Sequence, residues 1–173
     1  MARLAGVKFL GIAEITGYSP DGVPTYSEVT ELKQFENFSG TINSTDSAWY
    51  SNDTVEESYA EITGAELEIT VGSLSTAIRS RIAGSLLDSS NVLVVKADDL
   101  QREFAVVAVF TMLGKNGGEQ THVFHRCKLS ANDIEAETKT DSVTAASITI
   151  TGAAVPSPDG RVLTIYDGRY TGI

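Results

Sequence analysis

The change of period inside residues 61–87 limits the folds open to this chain more than any other feature. Over residues 65–71 apolar and polar positions alternate strictly, with Ala65, Leu67, Ile69 and Val71 on one side and Glu66, Glu68 and Thr70 on the other. Such alternation predicts a strand with one dry and one wet face. After Gly72 and Ser73 the spacing becomes three and four, through Leu74, Ala77, Ile78, Ile82 and Leu86. That spacing predicts a helix of about three turns, with Arg79, Ser80 and Ala83 turned away from its packed side. Ser73 is the expected N-cap, its hydroxyl accepting from a first-turn amide. No other stretch has comparable helical periodicity. The expected class is therefore mainly β, a β-sandwich or strongly curved β layer with one flanking α-helix.

Residues 6–15, GVKFLGIAEI, read as an opening strand in which Gly11 marks a bend or a close-packing point. Ser19, Pro20, Asp21 and Gly22 follow in turn order, and the same four residues recur at 157–160. Shared turn chemistry accounts for that recurrence without a duplicated domain. Residues 29–42 carry Leu32, Phe35, Phe38 and Ile42 in an interrupted strand pattern. Residues 43–58, NSTDSAWYSNDTVEES, then lose periodicity and suit a long loop or an extended hairpin arm. Trp49 and Tyr50 at its centre call for a large apolar burial, either on their own domain or on a neighbouring subunit, with carbohydrate stacking a third use. Later strands are expected at 91–96, 104–113, 120–129, 134–138, 143–153 and 161–166, with a charged turn at 97–102. GKNGGE supplies positive-φ residues between 104–113 and 120–129, making these the clearest antiparallel pair.

The 173 residues are enough for one domain with a good core. A formal net charge of -10, with 13 scattered basic residues, opposes a non-specific nucleic-acid surface. Cys127 is the single cysteine, so no internal disulfide framework is available. The longest clear apolar run, 105–110, is far short of a membrane span, and the amino terminus lacks a hydrophobic segment with a processing site, so cytoplasmic synthesis is expected.

His122, His125 and Cys127 form the one local His/Cys cluster, and strand alternation puts His125 and Cys127 on one face and His122 on the other. Two ligands at an edge fall short of the four of a structural zinc site, and nothing local orients the pair as base and nucleophile. Asp98, Asp99 and Glu103 lack the EF-hand ligand pattern and read as a solvated turn. Glu66 and Glu68 share a strand face, but catalytic carboxylates need a cleft and separated pKa values. Asp133, Glu135 and Glu137 form a second acidic ridge. Phosphate-loop, dinucleotide, HExxH and GxSxG motifs are absent. The glycosylation spacings at Asn37, Asn43 and Asn52 read as polar loop sequence. No catalytic, metal or cofactor site is expected.

Four stretches, taken in order and spacing, go beyond a generic β protein: GVKFLGIAEITGYSPDGVPTYSEVTELKQFENFSGTINSTDSAWYSND, VEESYAEITGAELEITVGSLSTAIRSRIAGSLLD, FAVVAVFTMLGKNGGEQTHVFHRCKLS and ETKTDSVTAASITITGAAVPSPDGR. Together they cover nearly the whole chain, which resembles the major tail tube proteins of long, non-contractile-tailed bacteriophages. The resemblance implies a single β-sandwich-like tube domain over 1–173, self-associating into six-membered rings that stack into a hollow conduit for DNA ejection. It implies that 43–58, with Trp49, Tyr50 and Asp53, is the inter-subunit arm. Glu66, Glu68, Asp133, Glu135 and Glu137 are then candidates for a lumen through which DNA passes without sequence-specific binding. Leu74, Ile78, Ile82 and Leu86 would hold the helix against its own sheet. The implied partners are tape-measure, tail terminator and distal tail proteins, and the implied place is the virion tail after synthesis in the bacterial host cytoplasm. The run NVLVVKAD departs from many relatives, and no additional Ig-like carboxy-terminal domain is evident, which implies the tube module alone. A ring-forming head-to-tail connector or tail terminator is the alternative of related fold. An acidic substrate-binding enzyme is the more remote one.

Overall fold

Residues 104–109, Phe-Ala-Val-Val-Ala-Val, have no polar position in either parity, and such a run suits a strand covered on both faces. In the computed structural model, which describes residues 3–51, 54–114, 117–135 and 146–173, this run lies in β6 (Glu103–Leu113). All six side chains are at most 2 % exposed. The elements before it are β1 (Arg3–Tyr18), β2 (Pro24–Tyr26), β3 (Thr30–Glu31), β4 (Phe35–Ser51), β5 (Thr54–Val71) and α1 (Thr76–Ala83). Those after it are β7 (Glu119–Glu135), β8 (Ser147–Ala154) and β9 (Leu163–Asp167). They form one antiparallel sheet of nine strands in the order β2-β1-β6-β7-β8-β5-β4, with β3 added on β1 and β9 on β7.

The sheet is open but curls around a single core. Phe104, Val106 and Ala108 point into it together with Leu10 and Ile12 of β1, Leu67 and Ile69 of β5, Leu129 of β7 and Ile150 of β8. Phe38 of β4 reaches Phe110 of β6 at 5.9 Å and Phe124 of β7 at 6.1 Å between ring centroids, although β4 stands at the far end of the strand order. Ala105, Val107 and Val109 occupy the other face, in register with Ala13, Gly11 and Phe9 of β1. That face is covered from both ends of the chain: Val29 sits over Gly11, and Tyr170 stacks on Phe9 at 5.8 Å. A Cβ at Gly11 would fall 2.6 Å from Val29 Cγ1, so this glycine serves close packing.

The two Ser-Pro-Asp-Gly turns are alike and touch. Gly22 N donates to Ser19 O at 2.9 Å and Gly160 N to Ser157 O at 2.7 Å, with φ of 81° and 86° at the two glycines. A Cβ at Gly22 would lie 2.9 Å from Asp159 N, so the β1–β2 turn abuts the β8–β9 turn. The expected hairpin of 104–113 with 120–129 is present, closed by Met112 N donating to Gly118 O at 2.8 Å. β7 runs unbroken to Glu135, so the separate strand expected at 134–138 is instead its continuation over the described part. Residues 91–96 are not a strand. They make one bridge, Leu87 with Leu93, and Val92, Val94 and Val95 remain exposed, because β propensity needs a neighbouring strand and a surface to pack on.

The helix is shorter than its apolar spacing suggests. Ser75, not Ser73, is the N-cap, accepting from Ile78 N at 3.3 Å, while Ser73 donates to Gln34 Oε1 at 2.6 Å. Gly84 ends the helix in the left-handed region at φ 74°, and a Cβ there would come within 2.0 Å of Leu100 O. Leu74 packs on the core from just ahead of the helix, and Ile78 and Ile82 pack on it from within. Leu86, expected on the same packed side, is 81 % exposed, because the turn at Gly84 breaks the helical register before it. No helix among the described residues is long and apolar enough to cross a membrane.

Phe104→Ala, which removes a fully buried ring, is expected to cost about 3–5 kcal/mol of stability. Leu86→Ala is expected to stay within about 0.5 kcal/mol. Urea unfolding of the two variants checks both.

Candidate functional site

β4 and β5 pair continuously from Phe35 opposite Val71 to Ser51 opposite Thr54, whereas β8 accompanies β5 only along residues 65–71. Beyond Gly64 the two strands therefore run on as a ribbon with no third strand among the described residues. Gly64 marks the departure, since a Cβ there would stand 2.4 Å from Ala154 O, where β8 ends. Residues 43–51 at the rise of an extended strand give the ribbon a length of about 30 Å. Of the two forms the sequence left open, loop or hairpin, the backbone takes the hairpin.

The register sorts the ribbon's residues. Trp49, Ser47 opposite Tyr59 and Thr45 opposite Glu61 share one face, so Trp49 and Tyr59 are diagonal neighbours. They are 76 % and 62 % exposed. Ile62, also exposed, lies on the opposite face. Trp49 does not fold back onto its own domain. Tyr50 follows in the backbone opposite Val55, and Asp53 lies outside the described residues. An isolated two-stranded ribbon is marginal in water, and exposed aromatic rings on it have large apolar area still to bury.

Charge marks the same element. Between Lys33 and Arg79 there is no basic residue, while Glu36, Asp46, Asp53, Glu56, Glu57, Glu61, Glu66 and Glu68 are all acidic. This run was legible in the sequence as a stretch without cations. Glu66 and Glu68 are exposed and Ala65, Leu67, Ile69 and Val71 buried, the wet and dry faces their alternation predicts. Around them stand Ser39, Thr41 and Thr151, with Glu68 in register between Ser39 and Thr151. Asp133 and Glu135 are placed by register opposite Thr149 and Ser147 of β8, and Glu137 lies outside the described residues.

A cleft of about 690 Å³ opens on the flank of β7. β6 begins at Glu103 opposite Lys128, so past that point no described strand pairs with β7 on this side. α1 and residues 95–101 stand there instead, and Arg79, Lys96, Lys128, Ile82, Leu100 and Leu129 line the space between. Among the described residues none of the three cations forms an ion pair. Leu86, Val94, Val95 and Leu100 in the neighbouring segment are 59–85 % exposed. Asp98, Asp99 and Glu103 do not converge. Asp99 is held within its own loop by Ser85 Oγ and Lys96 N, which keep its carboxyl below the usual range. Burial pushes the Glu103 carboxyl up, but hydrogen bonds from Tyr18 and Arg126 and the charges of Arg126 and Lys128 outweigh it and hold the group low.

His125 and Cys127 fall on opposite faces, contrary to strict alternation. A bulge where Val106 pairs Phe124 and Phe104 pairs Cys127 inserts a residue into β7. Cys127 enters the core, where burial pushes its thiol up to about 12, so it is an inert thiol at neutral pH. His125 is bound on the outer side between Tyr26 Oη at 2.6 Å and Thr164 Oγ1 at 2.5 Å. His122 packs edge-on against Phe110 at 4.8 Å. No group of three or more His, Cys, Asp or Glu suited to a metal ion occurs among the described residues. Neither a family model nor a curated protein matches the chain.

Burial lowers the pKa of His125, reinforced by Arg161 and partly offset by Asp159, and burial alone lowers that of His122. With folded values below the free-histidine value of about 6.5, the unfolded chain takes up protons first as pH falls. Stability is therefore fullest above about pH 6.5 and is lost as pH falls toward the folded values. The unfolding midpoint in urea is expected to drop between pH 7.5 and 5.5, and to drop less in His125→Gln.

Proposed function

We propose that this chain is the tail tube subunit of a long, non-contractile-tailed bacteriophage, self-associating into hexameric rings that stack into a conduit for DNA. The observation that carries the proposal is the β4–β5 ribbon, a long paired element with exposed Trp49 and Tyr59 and no packing surface among the described residues of its own chain. Such an element gains stability when a neighbouring subunit covers it, because each aromatic side chain buries about 150–250 Å². The resemblance in sequence adds the specific assembly: a β-sandwich-like subunit, rings of six, and tape-measure, terminator and distal tail proteins at the ends, in the virion tail.

The acidic face supports the conduit. Glu66 and Glu68 are exposed on β5, and Asp133, Glu135 and Glu137 complete the proposed lumen lining. Carboxylates facing inward repel DNA phosphates, so the polyanion slides without sites at which to stick. The mechanism is one of geometry and field rather than of bond making.

Electron microscopy of purified protein over a concentration series is expected to show stacked hexameric rings; rings that never stack would favour the connector or terminator, and persistent monomers would reject self-assembly. Trp49→Ala is expected to shorten or abolish tubes while changing the stability of the isolated chain by less than about 0.5 kcal/mol. Long tubes from that variant would remove Trp49 from the stacking contact. Neutralising Glu66, Glu68, Glu135 and Glu137 together to Gln is expected to slow DNA passage. A tube map with all four on the outside would reject their lumen role.

A further inference from the structure

Two surfaces of this chain lack a partner within it, and they are complementary. One is the ribbon, apolar at Trp49 and Tyr59 and set in a run of 45 residues, 34–78, that has acidic residues and no basic one. The other is the cleft beside β7, apolar on its accessible side at Val95, Ala97 and Leu100, and lined by the three cations Arg79, Lys96 and Lys128 against the one carboxylate of Asp99. We propose that the ribbon of one copy seats in the α1–β7 cleft of a second copy, Trp49 and Tyr59 entering among the apolar residues and the ribbon's carboxylates facing the three cations. This names the receiving surface for the arm and rests on the self-association proposed above.

Three observations converge on that occupant. The cleft's cations have no ion-pair partner among the described residues, whereas Arg81, Arg102 and Arg126 nearby are paired to Glu14 or Glu103. Its lining keeps Val95 and Leu100 exposed, and Leu86 and Val94 in the same segment are exposed too, an apolar area a small domain gains nothing by leaving in water. The ribbon extends about 30 Å beyond the sheet, long enough to cross onto another subunit. Opposite charge on the two surfaces steers the encounter and sets the register.

Cysteine trapping tests the seat. Cys127 is buried and does not compete, so Ser47→Cys with Ala97→Cys introduces one reactive thiol on the Trp49 face of the ribbon and one in the cleft. Under mild oxidation the double variant is expected to give a ladder of disulfide-linked oligomers, and each single variant none. Assemblies seen by microscopy without the ladder would overturn the seat and leave self-association standing. An intramolecular disulfide in monomers would overturn it by showing that the ribbon reaches its own cleft. Monomers at every concentration would reject both the seat and the tube. As a second arm, Lys96→Glu with Lys128→Glu is expected to abolish assembly, and Thr45→Lys with Glu61→Lys, both on the Trp49 face, to restore it in the same chain. Failure of that restoration, with both pairs folded, would overturn the charge pairing.

Discussion

The burial of β6 on both faces is the constraint from which the rest of the architecture follows. A strand whose residues 104–109 are all apolar cannot border water on either side, so each face needs its own cover. On one side the sheet supplies it by curling, bringing Phe38 of β4 against Phe110 and Phe124, with α1 closing the end near Leu129. On the other side the cover comes from short pieces, Val29 ahead of β3 and the terminal segment around Tyr170. The contact of the two Ser-Pro-Asp-Gly turns belongs to this second layer. It joins the turn before β2 to the turn before β9, the strands whose residues Tyr26 and Thr164 hold His125.

The bulge in β7 makes these two layers compatible. Up to Phe124 the strand pairs β6 on one flank and β9 on the other; from Cys127 its second flank belongs to β8. A continuous strand changing partners midway needs a break in its alternation, and the extra residue lets Phe124 and Cys127 both face the core while His125 turns outward. Both ring nitrogens of His125 are then hydrogen-bonded, which removes the cost of an unsatisfied buried polar group. The price of this arrangement is acid sensitivity, since a protonated imidazole cannot accept from a hydroxyl.

Most of the strands were legible because each has at least one dry face. The alternation at 65–71 and the paired runs on either side of GKNGGE translate directly into β5, β6 and β7. The helix is shorter than its spacing predicts because Leu86 continues the three-and-four pattern across Gly84, and spacing does not reveal a left-handed cap. NVLVV has strand composition but no neighbouring strand, and composition does not supply one. The ribbon was the least legible strand pair for a related reason: neither face is buried at residues 43–49 or 58–60, so no selection for alternation is imposed there. Loss of periodicity there reported the absence of a local packing surface, not the absence of strands.

That same absence bears on how copies would join. The run 34–78 holds eight of the chain's 23 acidic residues and none of its 13 basic ones, which leaves the remaining residues close to neutral, with 15 acidic against 13 basic. In the proposed assembly, ribbons on adjacent subunits would repel one another, so the charge that favours ribbon with cleft disfavours a side-by-side pairing of ribbon with ribbon. A contact between two different patches of one chain is heterologous, and heterologous contacts propagate, closing into rings or continuing along an axis according to the rotation they impose. A symmetric dimer through the ribbons would stop at two. In that assembly, a projecting element with acids and no cation, set against cations beside α1, would favour the class of contact that a stacked tube requires, before any detail of its packing is specified.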